Sequence, residues 1–255
     1  MQDGFEFDER VVDRFDHCPA APVVAKAVQR IVQRRGGQVA DYEARRTMMV
    51  DTQIRPSDVT KFPIIDAMLS VPRERFVPDD LREAAYVGEN IVLSEERVLL
   101  EPRTFAKMLD ALDIQPNESV LDIGCGLGYS AAVLAKLAGF VVAVEQDEQQ
   151  ANEAQTALSE LSLDQAVVVS GSLADGAAKS GPYDVILIEG AIEVLPSNIS
   201  SQIKDGGRIA AIFAEGDLGV VRIGHMRDGQ LHWRFAFNAG APVLSGFEKK
   251  PSFAL

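Results

Sequence analysis

Two hydrophobic rhythms divide the chain. From Asp41 to Met108, apolar residues recur at helical intervals with irregular joints between them. The pattern predicts one helix over "DYEARRTMMVDTQI" and a second over "SDVTKFPIIDAMLSVP", with Ser57 as N-cap. A short third, "DDLREAAY", opens at Asp79 or Asp80, and a connection runs from Val87 to Leu100. The next helix, "EPRTFAKMLDALDI", carries Pro102 in its first turn, where a missing N–H costs nothing. Beyond it, strands at residues 119–123, 140–145, 166–170, 183–189 and 208–213 alternate with helices. Those helices are "YSAAVLAKLAG", "DEQQANEAQTALSELSL" and "PSNISSQIKDGG". Continuous β-branched runs such as "FVVAVE" and "AVVVS" read as strands buried on both faces, as in a parallel sheet flanked by helices. At the end the period changes. "GVVRIGHM", the turn "RDG" and "QLHWRFAF" alternate strictly and predict an antiparallel hairpin.

Residues 1–40 follow neither rhythm. Six acids fall in residues 1–16 and none in 17–40, where Val24, Ala27, Val28, Ile31 and Val32 keep helical spacing before "RRGGQ". The expected organisation is an extension over 1–40, either disordered or a single amphipathic helix. A helical cap with an acceptor loop follows over 41–108, then a ligand-binding core over 109–255. Because every recognisable pattern begins at Asp41, the natural start is expected near Val39.

Composition narrows the classes. With 47% hydrophobic and 25% charged residues, the chain is an ordinary globular sequence. No apolar run approaches the roughly 20 residues that span a bilayer, so no membrane partner is expected. A net charge of −13 argues against gripping nucleic-acid phosphates. The acidic start lacks an apolar signal core, and Cys18 and Cys125 are the two cysteines. Both points favour a cytoplasmic protein without a structural disulfide. His17, His225 and His232 have no metal-ligand spacing, so no metal is expected.

The chemistry concentrates in "VLDIGCGLGYSAA". A strand that ends in glycines and opens a helix brings bare backbone N–H groups against a ligand. The glycines are Gly124, Gly126 and Gly128, with Tyr129 where a dinucleotide fingerprint would place its third. Cys125 lies between them as a small side chain. Asp122, two residues upstream, would repel phosphate and attract a cation, and S-adenosylmethionine carries a sulfonium and an ammonium. Glu145, at the tip of the next strand, suits both ribose hydroxyls. With the closing hairpin, these features predict the class I methyltransferase fold: α/β, three layers, a mostly parallel seven-stranded sheet, its last strand reversed.

Several segments outside the loop carry a more specific likeness. "MVDTQIR" (49–55), "AMLSVPRERFVP" (67–78), "AAY" (84–86), "VLDIGCGLGY", "YDVILIEGA" followed by Pro196, and "IKDGGRIAAIF" resemble the protein-L-isoaspartate O-methyltransferases. The resemblance implies methylation of the free carboxylate of L-isoaspartyl residues in damaged proteins, with S-adenosyl-L-methionine as cofactor. It also marks two departures. A hydroxyl that touches the acceptor in the family falls at Leu100, within an acceptor loop of Leu99, Leu100, Pro102 and Arg103. The adenine-reading acid falls at Ser172, beside Leu173. Leucine cannot hydrogen-bond a carboxylate. Three readings follow: an isoaspartyl methyltransferase, a methyltransferase of a small-molecule acceptor, and a non-catalytic cofactor-binding module.

Overall fold

The computed structural model describes residues 41–249 apart from residues 95 and 217. The expected extension over 1–40 lies outside them. Asp41 caps α1 (Tyr42–Met49), its carboxylate accepting from the Ala44 N–H at 3.0 Å. The path continues through a π turn (Val50–Ile54) and a 3-10 turn (Arg55–Ser57), so residues 42–57 are one helical run. The second helix starts later than its sequence implied. Ser57 does not cap it; the Ser57 hydroxyl donates back to the Gln53 carbonyl at 2.8 Å. α2 spans Phe62–Ser70, with Pro63 in its first turn. The short third helix is a 3-10 turn, Asp79–Ala84.

"VPRERFVP" folds into another 3-10 turn, Arg73–Arg75, whose first residue is the anchor of the cap. The Arg73 side chain is fully buried; Nε donates to the Ala85 carbonyl and Nη2 to the Leu100 carbonyl, each at 2.7 Å. Its guanidinium carbon lies 4.7 Å from the centre of the Tyr129 ring. One residue therefore ties three chain segments together. The stretch from Val87 to Leu100, expected as a connection, holds a small hairpin instead: β1 (Ile91–Ser94) and β2 (Arg97–Leu99), with Ile91 opposite Leu99.

α3 (Pro102–Leu112) leads into the main sheet and buries Phe105, Met108, Leu109 and Leu112. These join Ile54 and Met68 of the cap in a single core, so the division expected at residue 108 falls inside α3. The strands are β3 (Ser119–Ile123), β4 (Phe140–Glu145), β5 (Ala166–Ser170), β6 (Tyr183–Ile192), β7 (Ile203–Glu215), β8 (Leu218–Arg227) and β9 (Gln230–Asn238). Their order is β5-β4-β3-β6-β7-β8-β9, and only β8 runs against its neighbours. The reversed strand is thus the penultimate one, and β7, β8 and β9 form a meander. Asp228 and Gly229 close its last turn with φ of 49° and 73°, the left-handed pair that a two-residue hairpin requires.

Alternate residues of each strand feed two cores. Val120, Ala143, Val185 and Leu187 face α3, α4 (Tyr129–Ala135) and α5 (Glu148–Glu160). Leu121, Val142, Ile186 and Ile188 face the other way, toward Leu173, Ile199, Leu244 and Phe247. The third layer is thin. The connection after β5 is rich in Gly and Ser and makes only 3-10 turns, while α6 has four residues (Ser197–Ser200). Residues 203–207 of the helix expected over "PSNISSQIKDGG" are already β7.

Arg73→Leu should leave two buried carbonyls without donors, each costing about 1–3 kcal/mol. The expected loss is about 3 kcal/mol by urea denaturation, with Arg73→Lys recovering part of it.

Candidate active site

The carboxyl end of β3 delivers the glycine turn. All three glycines have positive φ, 86° at Gly124, 55° at Gly126 and 95° at Gly128. The turn is held from inside by hydrogen bonds from the Gly124 N–H to the Val144 carbonyl and from the Gly128 N–H to the Cys125 carbonyl, both 2.8 Å. Glu145, at the end of the neighbouring β4, clamps it from the side. One carboxylate oxygen accepts from the Gly126 N–H at 2.8 Å; the other accepts from the Gln146 and Asp147 N–H groups. Glu145 is only 1% exposed, so it is no solvated strand end. Asp147 caps α5, accepting from the Gln150 N–H at 3.0 Å.

The small hairpin lies across this turn. Arg97, on β2, donates to the same oxygen of Glu145 that Gly126 uses. A Cβ on Gly124 would sit 2.9 Å from both terminal nitrogens of Arg97, and one on Gly126 would sit 2.7 Å from Leu93 Cδ1. The bare backbone therefore accommodates the hairpin side chains.

Five charged side chains are buried around the turn: Arg73, Arg97, Asp122, Glu145 and Glu189. Asp122 accepts from the Ser130 hydroxyl at 2.6 Å through one oxygen, while its other oxygen has no partner. Glu189, near the middle of the long β6, also has an unpartnered buried oxygen, as do Nε and Nη1 of Arg97 as donors. Burial pushes the Asp122 carboxyl up to about 7. Burial and the nearby Asp122 carboxylate raise Glu189 well above the usual range. Burial also raises the Cys125 thiol, which suits a small packing residue rather than a nucleophile. Unpaired carboxyl oxygens and an incompletely used guanidinium beside bare backbone are what a zwitterionic ligand with excess positive charge would complete.

The remaining expected residues separate. Tyr129 does not face the turn: its ring packs against Phe76 and Phe105, at centroid distances of 5.8 and 5.7 Å. Ser172 is exposed just past the end of β5, whose Ser170 pairs with Glu145. Leu173 is buried in the second core. Asp175 accepts from the Asn198 amide at 3.0 Å. In the acceptor loop, Leu99, Leu100 and Pro102 are buried, Leu100 completely. The Arg103 side chain is 48% exposed and lies 3.7 Å from Glu101, pointing away from the buried cluster. Arg97, Glu189 and Arg73 are the site-forming residues that motif reading passed over. An acid ending the apolar run "YDVILIE" is the same signal that singled out Glu145. Arg97 gave none, because a charge on a short hairpin is usually solvated. His225 and His232 stand opposite each other on β8 and β9. Among the described residues, no group of three or more His, Cys, Asp or Glu side chains is placed to hold a metal.

A parallel sheet with one reversed strand, a glycine turn after its central strand and an acid at the tip of the next define a class I methyltransferase. The family model for protein-L-isoaspartate(D-aspartate) O-methyltransferase (PCMT) matches residues 44–232. The protein-L-isoaspartate O-methyltransferase of Pelotomaculum thermopropionicum is 32% identical over 184 residues, covering 71% of this chain and 80% of the relative. That of Herpetosiphon aurantiacus is 34% identical over 194 residues, covering 76% and 85%. The chain belongs to this family and is a methyltransferase. Among solved structures, a protein-L-isoaspartate O-methyltransferase superposes with a TM-score of 0.70 at 22% identity, covering 79% of this chain and 66% of that one. A second, from Plasmodium falciparum and in complex with S-adenosyl-L-homocysteine, gives 0.68 at 15% identity, covering 81% and 99%. At these identities both likenesses speak to the fold.

Burial of Asp122 has a measurable consequence. A carboxyl raised to about 7 favours the folded protein in its protonated form, so its contribution declines as pH climbs from about 4 to about 7. Asp122→Asn should therefore melt a few degrees above the unliganded wild type at pH 8, where about 1 kcal/mol corresponds to roughly 2–4 °C. At pH 5, early in that window, calorimetry should find a smaller difference between the two.

Proposed function

We propose that the chain transfers the methyl group of S-adenosyl-L-methionine to the free carboxylate of L-isoaspartyl residues in damaged proteins, a step of protein repair in the cytoplasm. Family membership over residues 44–232 supports the acceptor. The observation that supports the cofactor is the set of unpaired carboxyl oxygens on Asp122 and Glu189 beside a turn kept bare by glycine. The buried free thiol of Cys125 is in keeping with a reducing compartment. Among the described residues, no helix is long and apolar enough to cross a membrane.

When bound, S-adenosyl-L-methionine would supply an electrophilic methyl group on a sulfonium, to whose carbon a carboxylate oxygen bonds in one step as the carbon–sulfur bond breaks and its electron pair stays on the departing thioether sulfur. An acceptor carboxylate with a reference pKa near 4 is already ionised at neutral pH, so no residue of this chain needs to remove a proton. The work of the protein is to hold, align and exclude water. Asp122 and Glu189 would offer their unpartnered carboxyl oxygens to the cationic end, Asp122 carrying negative charge once ionised. The Gly124–Gly128 turn would allow close approach of backbone, Glu145 would accept from ribose hydroxyls, and Ser172 would stand toward the adenine. Leu173 supports that edge from the core, and Cys125 fills the turn without adding bulk.

Complete burial of Leu100 favours a second reading, a different, small-molecule acceptor, because position 100 offers a carboxylate no hydroxyl. The third reading, a non-catalytic module acting through residues 1–40, rests on residues outside those described.

Two measurements test the proposal. Incubation with methyl-labelled cofactor and an isoaspartyl peptide should yield base-labile methyl ester; no label on that peptide, with label on a small molecule, would favour the second reading. Cofactor affinity by calorimetry should fall as pH drops from 8 to 6, by up to about tenfold per unit, because protonating Asp122 removes its negative charge. A flat profile would remove Asp122 from the binding site.

A further inference from the structure

Three residues before the position whose hydroxyl is missing, this chain carries a buried cation, Arg97. We propose that Arg97 binds the acceptor carboxylate, and that it rests on Glu145 until the ribose of the cofactor takes that acid. The proposal rests on the reading of the chain as a carboxylate methyltransferase using S-adenosyl-L-methionine.

Three observations lead to it. First, the side chain of position 100 is turned wholly into the core and its carbonyl is held by Arg73, so no small rotation returns it to the acceptor. Arg103 points outward beside Glu101. Arg97 is therefore the cation of this segment that faces the glycine turn. Second, the Arg97 side chain is 9% exposed yet uses one nitrogen; Nε and Nη1 are buried without partners. An arginine fork offers parallel N–H bonds to a carboxylate, and here the second half of the fork is idle. Third, the guanidinium lies on Gly124 and hydrogen-bonds the one acid suited to the ribose. Cofactor and Arg97 cannot both occupy that carboxylate oxygen and that turn. Binding of the cofactor must release Arg97, and a released, desolvated guanidinium requires an anion. The acceptor carboxylate is the anion the reaction brings. Order of binding follows: cofactor first, acceptor second, with affinity for the cofactor lowered by the contact it breaks.

Arg97→Gln separates the two roles. Cofactor affinity, read by calorimetry with S-adenosyl-L-homocysteine, should tighten about tenfold because Glu145 is no longer occupied. The KM for an isoaspartyl peptide should rise at least tenfold, with kcat changed less. Arg97→Lys, which keeps a point charge without the fork, should fall between. An isoaspartyl KM unchanged in Arg97→Gln, in a wild type that methylates the peptide, overturns the proposal and leaves the functional reading standing. Weaker cofactor binding in Arg97→Gln also overturns it, assigning Arg97 to the cofactor instead. A wild type that binds cofactor but methylates no carboxylate sinks both. A merely structural Arg97 would lower the urea midpoint and weaken both ligands together, so the midpoint is measured alongside.

Discussion

The contact between Arg97 and Glu145 is the constraint on which the arrangement of the site depends. It draws the β1–β2 hairpin onto the glycine turn, and the turn accepts it because Gly124 and Gly126 have no side chains. Glu145 in turn gathers the N–H groups of Gly126, Gln146 and Asp147, so one carboxylate fixes the turn, the start of α5 and the hairpin at once. Buried ion pairs seldom add net stability, because desolvation consumes most of the attraction. Their retention here fits a role in binding, where a charged partner can be exchanged for a charged ligand.

The second anchor, Arg73, works differently. It is equally buried, with Nη1 unpartnered, but Nε and Nη2 donate to the backbone carbonyls of Ala85 and Leu100 and its face lies on the Tyr129 ring. Around it, Arg46 donates to the Leu69 carbonyl, the Tyr86 hydroxyl and Glu74, and closes the cap on itself. The cap is thus held by hydrogen bonds to backbone that no ligand replaces. Arg73 holds the floor and Arg97 the movable contact. That division explains why Leu100 lies in the core: its carbonyl belongs to the floor.

Much of this architecture was legible in the residues. The uninterrupted β-branched runs gave the parallel strands, Pro102 marked the start of α3, and the alternation after Gly219 gave the closing antiparallel hairpin. Legibility ended where local preference and tertiary context part. Ser57 is a good capping residue by type, but Pro63 and the left-handed Asp58 move the helix start downstream. "SQIKDGG" reads as a helix end, yet Ile203 already pairs with Tyr183 of β6, and the ladder resumes at Arg208 opposite Val185 after an irregular stretch. At the site, the glycines, Asp122 and Glu145 announced themselves by spacing. Tyr129 was misplaced because its position in the motif says nothing about which way a ring turns when Phe76 and Phe105 are waiting for it.

Leu100 is the instructive departure. Read alone, a leucine at a hydroxyl position argues against a carboxylate acceptor, since an apolar wall cannot satisfy a buried charge. The fold weakens that inference, because the leucine does not form the wall. It has moved into the core, and the surface nearest the turn is provided three residues earlier by a guanidinium with half its donors unused. A hydroxyl offers one hydrogen bond to a carboxylate; a guanidinium offers two and a full charge. The substitution at 100 and the arginine at 97 are then one change in the way the acceptor is held, with the cost carried by the cofactor, which must first displace Arg97 from Glu145.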